Sequence, residues 1–250
     1  MTPSISVVLP AYNEEAVIEH SVRHVADALR DLTDDFEIVV TNDGSCDRTG
    51  EILARLAGEA PELRLRVVTH EQNRGYGAAL ASGFDAARKE FIFMTDGDKQ
   101  FDVRELSLLL PQMGEATDLV IGWRRKRADP PVRLLNAWVW KQVIHTLFGY
   151  TARDVDCAFK LFRRQVWQSL TVNARGATFS AEFLIKARRL GFVVSEVGVT
   201  HFPRTTGKAT GAKLSVIIRA LRELVTLWGN LDHELASDPR VRASLAPATA

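Results

Sequence analysis

The chain has little that would staple it, carry it across a bilayer or draw it to a polyanion. Only two of its 250 residues are cysteine, Cys46 and Cys157. Two cannot frame a domain of this size, and no short Cys/His cluster suggests zinc, so a reducing, cytoplasmic setting is expected. No apolar run approaches the roughly 18 residues that a membrane-crossing helix needs. Residues 1–10 lack the basic start and long apolar stretch of a secretory leader. The expectation is a soluble or peripheral protein. Lysine plus arginine number 32 against 31 aspartate plus glutamate, so overall charge gives no reason to invoke nucleic acid. No G-x-G-x-x-G follows the first apolar run, which argues against a nicotinamide-binding enzyme.

What the chain does contain is an alternation. Residues 5–9 form a β-branched run stopped by Pro10, followed by a helical pattern with Ile18, Val22, Val25, Leu29 and Leu32 on one face. Residues 36–40, 65–68 and 91–94 read as further strands, and 75–87 as a helix of small residues. Such spacing predicts right-handed βαβ units and a mostly parallel sheet covered on both faces. Beyond a further strand at 118–122 the character changes. A basic run, Arg124-Arg125-Lys126-Arg127, precedes Pro130-Pro131 and a Trp/Leu-rich helical stretch over 134–148. Strands at 159–162 and 192–199, a helix at 179–190 and a last amphipathic helix over 215–231 complete the reading. One domain over 1–231 is expected, with two halves at 1–122 and 123–231, and residues 232–250 as a flexible tail.

Ligands of open α/β sheets bind beyond the carboxyl ends of the strands. Three polar clusters fall there: Pro10-Ala11-Tyr12-Asn13-Glu14, Asn42-Asp43-Gly44-Ser45 and Asp96-Gly97-Asp98. Two carboxylates flanking a glycine can turn toward one point and hold a hard divalent cation, which in turn neutralises a diphosphate. An isolated Asp-Gly-Asp is usually only a solvated turn. The convergence of three loops favours the site, with Gln100 as a further oxygen donor. Asp43 can accept hydrogen bonds from a base. Asn73 and Gly75 open a helix where the backbone can approach an anion closely. Each of these, taken alone, reads equally well as a turn or a cap.

Together, residues 6–14 (SVVLPAYNE), 39–47 (VVTNDGSCD), 73–83 (NRGYGAALASG) and 93–100 (FMTDGDKQ) resemble glycosyltransferase family 2, and within it the dolichol- and polyprenyl-phosphate sugar synthases. Residues 154–160, 178–190 and 197–208 extend the likeness to roughly residues 4–213. The resemblance implies a GT-A fold, a Rossmann-like sheet with helices on both faces and C-terminal amphipathic helices. It implies a nucleotide-sugar donor (GDP-mannose or a UDP-hexose), Mg²⁺ or Mn²⁺, and a polyprenyl phosphate acceptor. Pro10, Ala11, Tyr12, Asn13, Glu14, Asn42, Asp43, Asn73, Gly75, Asp96 and Gly97 would hold the donor. Asp98 and Gln100 would bind the metal. Asp96, Asp98, Arg204 and Lys208 would carry catalysis, and Arg124, Asp154, Asp156, Glu182, Arg204 and Lys208 would meet the acceptor or its phosphate. The chain departs from the family pattern at Asn42, Ala158 and Lys160, where Asp, Gly and Arg are usual.

Two stripes have basic flanks: Ile217, Leu221, Leu224, Trp228 and Leu231 in the last helix, and Trp138, Trp140, Leu147 and Phe148 in the earlier one. Core packing, a homodimer interface and attachment to the inner membrane face stand as alternatives. His70, His145 and His201 read as structural. Two other functions remain open: a family 2 enzyme with a soluble or polysaccharide acceptor, and a non-catalytic protein that binds nucleotide sugars.

Overall fold

The computed structural model describes residues 2–97, 100–125, 131–176, 178–203 and 214–245. Asp98, Arg204 and Lys208 therefore lie outside the described residues. Seven strands form one sheet in the order β3-β2-β1-β4-β6-β5-β7. They are β1 Ile5–Ala11, β2 Phe36–Asn42, β3 Leu65–Thr69, β4 Phe91–Met94, β5 Leu119–Arg124, β6 Lys160–Arg163 and β7 Val194–Val199.

The first four strands are parallel, with Ile5 opposite both Phe36 and Phe91. This register brings the ends of β1 and β2 level, Ala11 beside Asn42, while β4 ends opposite Val8 and hands the chain to the Asp96 loop. The expectation of a mostly parallel sheet holds. The exception is β6, which runs antiparallel between β4 and β5. A four-residue strand with Lys160 at its start carries no periodicity from which direction could be read.

Helices α1 Ile18–Arg30, α2 Thr49–Glu59 and α3 Tyr76–Ala86 link the parallel strands. Val22, Val25, Ala26 and Leu29 of α1 are fully covered, as the 3.6-residue pattern requires. Asp47 receives the backbone N–H and hydroxyl of Thr49 at the start of α2, doing locally what an N-cap does. In α3, Gly83 lets the helix lie on the sheet, since a Cβ there would stand 2.4 Å from Val8 Cγ1. The remaining helices are α4 Leu106–Leu109, α5 Pro131–Phe148, α6 Arg164–Gln168, α7 Phe179–Arg189, α8 Leu214–Ser237 and α9 Pro239–Leu245. An aromatic cluster of Phe84, Phe162, Trp167, Phe179 and Phe183 joins α3, β6, α6 and α7.

The C-terminal segment differs from the expected tail. Helix α8 runs on to Ser237, and α9 packs back with Val241 buried and Arg240 over the Trp167 ring. Asp238 accepts from the backbone N–H and hydroxyl of Thr171, 67 positions away. Nothing in the Ala/Pro/Ser-rich composition announces those tertiary partners. The predicted stripe of α8 is divided as well: Leu224 is buried, whereas Leu221 and Trp228 are exposed. Among the described residues, no helix is long and apolar enough to cross a membrane.

Candidate functional site

The three loops at the carboxyl ends of β1, β2 and β4 meet on one rim, as their register dictates. Asn13 adopts a left-handed backbone with φ 56°, a conformation asparagine tolerates better than most residues. Its N–H donates to Ser45 Oγ at 3.0 Å and its side-chain oxygen accepts from Cys46 N at 2.8 Å. Glu14 N donates to Thr49 Oγ1 and Glu15 N to Asp47. The first and second loops are thus clasped together. Pro10 is half-buried and Ala11 buried, while Tyr12 is exposed and offers an aromatic face at the rim.

Asp43 is placed differently from a carboxylate waiting for a base. It is buried, and it accepts from the N–H groups of Arg74 and Gly75, each at 2.9 Å. His70 Nδ1 lies 2.6 Å from the same carboxylate, and His70 Nε2 lies 2.9 Å from Ser82 Oγ. Asp43 therefore pins the Asn73–Gly75 loop to the end of β2. Asn42 is buried beside it and accepts from Ser45 N at 3.2 Å. Gly75 has φ 99°, and a Cβ there would meet Arg175 O at 2.6 Å, so only glycine fits.

Asp96 is partly exposed at the end of β4, where Tyr76 Oη donates to it at 2.9 Å. Gly97 O accepts from Ser21 Oγ at 2.6 Å, which anchors the turn to α1. Gln100 is buried, with its Nε2 3.3 Å from both His201 Nε2 and Phe202 O. His201, read from the sequence as structural, thus stands beside the predicted metal corner. A lone histidine within VTHFP carries no spacing signal that could have revealed this. Of the predicted metal ligands, Asp98 lies outside the described residues, and the Gln100 amide oxygen, like a carboxylate, is a hard donor of the kind Mg²⁺ or Mn²⁺ prefers. Among the described residues no group of three or more His, Cys, Asp or Glu converges on one point. Two protein donors completed by diphosphate oxygens and water would be in keeping with magnesium chemistry.

The other half of the rim is a cleft of about 260 Å³ between the end of β5, helix α5 and the loop over 153–156. Trp123, Trp138, Trp140 and Lys141 contribute to its walls. Here two predicted acceptor residues are found paired with each other. Arg124 Nε and an Arg124 terminal nitrogen donate to the two oxygens of Asp154, each at 2.7 Å. Both side chains are largely buried. Burial alone would lower the Arg124 pKa, but the hydrogen bonds and charge of Asp154 outweigh it and leave it raised. A guanidinium held this way by a carboxylate is poorly placed to shield an incoming phosphate. Arg125, Lys141 and Arg153 line the same cleft, with Arg153 stacked 3.5 Å over the Trp123 ring.

Asp156 stands where water reaches it from the cleft, yet protein surrounds it. Burial pushes its pKa up and the charge of Asp154 adds to that, against the pull of Lys160, Arg124 and the Trp140 N–H. Beneath it, Lys160 is buried and donates to Cys157 O and, at 3.4 Å, to Ser180 Oγ. Burial lowers its pKa, while burial pushes the Cys157 thiol up to about 12.

Glu182 has a task the sequence reading did not foresee. It is buried in α7, its two oxygens accept from the N–H groups of Asn173 and Ala174 at 2.8 Å, and Lys186 Nζ lies at 2.7 Å. Lys186 continues to Glu234 of α8 at 2.8 Å. Glu182 thus orders the segment whose Arg175 O receives Gly77 N at 2.9 Å. It supports the Gly75 loop from behind and is itself enclosed.

These features can be set beside known proteins. The family described as Glycosyl transferase family 2 matches residues 6–171. Glycosyltransferase AglD of Haloferax volcanii is 34% identical over 209 residues, covering 80% of this chain and 33% of its own. Dodecaprenyl-phosphate galacturonate synthase of Rhizobium johnstonii is 28% identical over 208 residues, covering 81% of this chain and 60% of its own. The chain thus spans from a third to about three fifths of the length of these two curated relatives. Among solved structures, glucosyl-3-phosphoglycerate synthase of Mycobacterium tuberculosis, in complex with Mn²⁺, UDP and phosphoglyceric acid, superimposes with a TM-score of 0.71 at 24% identity. That match covers 91% of this chain and 79% of the other, and it shows a shared fold.

Proposed function

The chain belongs to glycosyl transferase family 2, and from that premise we propose that it transfers a hexose, with inversion, from a nucleotide-sugar donor to a polyprenyl phosphate. The carrying observation is the rim itself. Loops from β1, β2 and β4 are clasped through Asn13, Ser45, Asp43, Gly75, Tyr76 and Asp96 at the edge where such sheets bind ligands. The donor would lie across Pro10, Ala11, Tyr12, Asn13, Glu14, Asn42, Asn73 and Gly97, with Asp43 fixing the loop it rests on. Its base, guanine or uracil, is the finer part of the proposal.

The chemistry asks little of a general base. A phosphomonoester with a second pKa of about 6 is largely dianionic at neutral pH and is already a nucleophile. One of its oxygens attacks the anomeric carbon while the bond to the nucleoside diphosphate breaks on the opposite face. The chain's task is to hold two anions together against their repulsion. Asp96, Asp98 and Gln100 would orient the diphosphate, and a bound Mg²⁺ or Mn²⁺ there supplies charge neutralisation for the leaving group. With Arg124 committed to Asp154, Arg204 and Lys208 are the cations we assign to the acceptor phosphate, and Arg125 and Lys141 stand in the adjoining cleft.

A polyprenyl acceptor implies work at a bilayer surface. Exposed Leu135, Trp138 and Val139 of α5 and Ile218, Leu221, Val225 and Trp228 of α8 support peripheral attachment there. A soluble phosphorylated acceptor is the second reading, favoured by Arg125, Lys141 and Arg153 in the lining of the cleft. The deciding experiment supplies purified protein and Mn²⁺ with GDP-mannose or UDP-glucose, and offers polyprenyl phosphate in vesicles or phosphoglycerate in solution. Sugar–lipid product is expected. Transfer only to the soluble acceptor would overturn the lipid assignment and leave the donor site standing.

A further inference from the structure

Tyr76 lies within the NRGYG motif but belongs to no role drawn from it. It is the first residue of α3, the residue is 38% exposed, and its hydroxyl donates to Asp96 Oδ1 at 2.9 Å. The backbone that carries it has unusually little freedom. Immediately before it, Arg74 N and Gly75 N are both held by Asp43, which His70 in turn ties to Ser82 of the same helix. Immediately after it, Gly77 N donates to Arg175 O, and Arg175 O also closes the space over Gly75. Tyr76 is therefore a rigid phenol projecting from a fixed origin onto a carboxylate of an exposed loop.

A short acidic side chain on such a loop samples several rotamers, and each wrong one weakens a ligand that needs a single direction. The Tyr76 hydroxyl is itself a neutral donor, so its bond to Oδ1 favours one rotamer and adds no opposing charge. We propose that Tyr76 is a positioning residue for the donor: it sets the direction of Asp96 toward the nucleoside diphosphate and its divalent cation. The strut running Ser82–His70–Asp43–Gly75–Tyr76–Asp96 links the loop of the second strand to that of the fourth. This inference rests on the donor-site reading above.

The test uses Tyr76→Phe, Asp96→Asn and the double variant of the full chain, titrated by calorimetry with UDP and with GDP in the presence of Mn²⁺. Tyr76→Phe keeps the ring and its packing, so thermal unfolding should match wild type. Nucleotide binding should weaken roughly tenfold, in the range expected when a hydrogen bond to a charged group is lost. In steady state, donor KM should rise by a similar factor while acceptor KM stays put, a split that general loosening would not produce. In the Asp96→Asn background the same change should cost less than twofold, because its partner's charge is already gone. Wild-type affinity in Tyr76→Phe overturns the inference, and so does an undiminished loss in the Asp96→Asn background. Wild-type affinity in Asp96→Asn itself overturns the donor-site reading, and the inference falls with it.

Discussion

The two sides of the rim are built on different principles. On the side proposed for the donor, loops from β1, β2 and β4 bond mainly to one another: Asn13 to Ser45 and Cys46, Asp43 to Gly75, Tyr76 to Asp96. Asp43 accepts from the Arg74 and Gly75 amides and Asp96 from the Tyr76 hydroxyl, and the backbone takes positive φ at Asn13, Gly44 and Gly75. On the side proposed for the acceptor, helices α5 and α8 frame the region, charge is neutralised by charge in the Arg124–Asp154 pair, and large apolar side chains face outward. A site proposed for a small, polar donor would benefit from fixed geometry. A surface proposed to meet a long apolar acceptor would benefit from exposed area, since attachment scales with the apolar surface it buries.

Perturbing each side in turn should sharpen this contrast. The largest effect is expected at Asp98→Ala: transfer should fall by at least about 10²-fold, the range seen when one group stabilising charge in the transition state is removed. Metal-dependent nucleotide binding should be lost in the same calorimetric titration, with the fold intact by circular dichroism. Full activity at unchanged metal concentration would remove Asp98 from the site.

Next in size is Glu182→Ala. It strips Lys186 of its nearest buried partner and should lower unfolding free energy by about 3–5 kcal/mol in a urea titration. The donor half should suffer too, because the ordered segment over 173–175 backs the Gly75 loop. A loss below 1 kcal/mol would mean that Lys186 and Glu234 hold this junction without it.

Asp43→Ala comes third. Nucleotide affinity should weaken by roughly 1–3 kcal/mol, the cost of leaving partners unsatisfied. The loss should be shared by UDP and GDP alike, because Asp43 acts through the Arg74 and Gly75 amides. A loss confined to one base would restore the base-reading role that the sequence suggested for it.

The acceptor side should respond in the opposite sense. Replacing Leu221 and Trp228 by polar residues should reduce sedimentation with anionic vesicles severalfold and leave nucleotide binding unchanged. Salt should weaken the wild-type association, because the flanking charges are basic. Unchanged sedimentation of the variant would move membrane contact elsewhere.

The smallest effect concerns Asp156. Its folded pKa is raised, so the folded state holds a proton that the unfolded chain releases once pH passes about 3.9. Its contribution to stability is present below that pH and is lost as pH climbs through the raised folded value. Asp156→Asn should therefore be more stable than wild type at neutral pH, with the gain shrinking toward pH 4. Water at the cleft mouth keeps the effect small. Chemical denaturation at pH 4, 6 and 8 checks the sign, and a gain that grows toward low pH would refute it.

The primary structure by itself determined the alternation of strands and helices, because period-two and period-3.6 patterns are local and each element needs one buried face. It also determined the family and the rim, since turn residues and carboxylates at strand ends are contiguous in the chain. Tertiary structure alone decided which groups were already spoken for. Arg124 meets Asp154 across 30 positions, Glu182 is closed in by Asn173, Ala174 and Lys186, and Asp43 meets His70 across 27. Whether a charged residue serves a ligand or its own neighbours depends on distances that folding sets, and no local pattern encodes them. The same holds for antiparallel β6 and for α9, whose places depend on the partners they find in the folded chain: Phe91 and Met94 for one, Trp167 for the other.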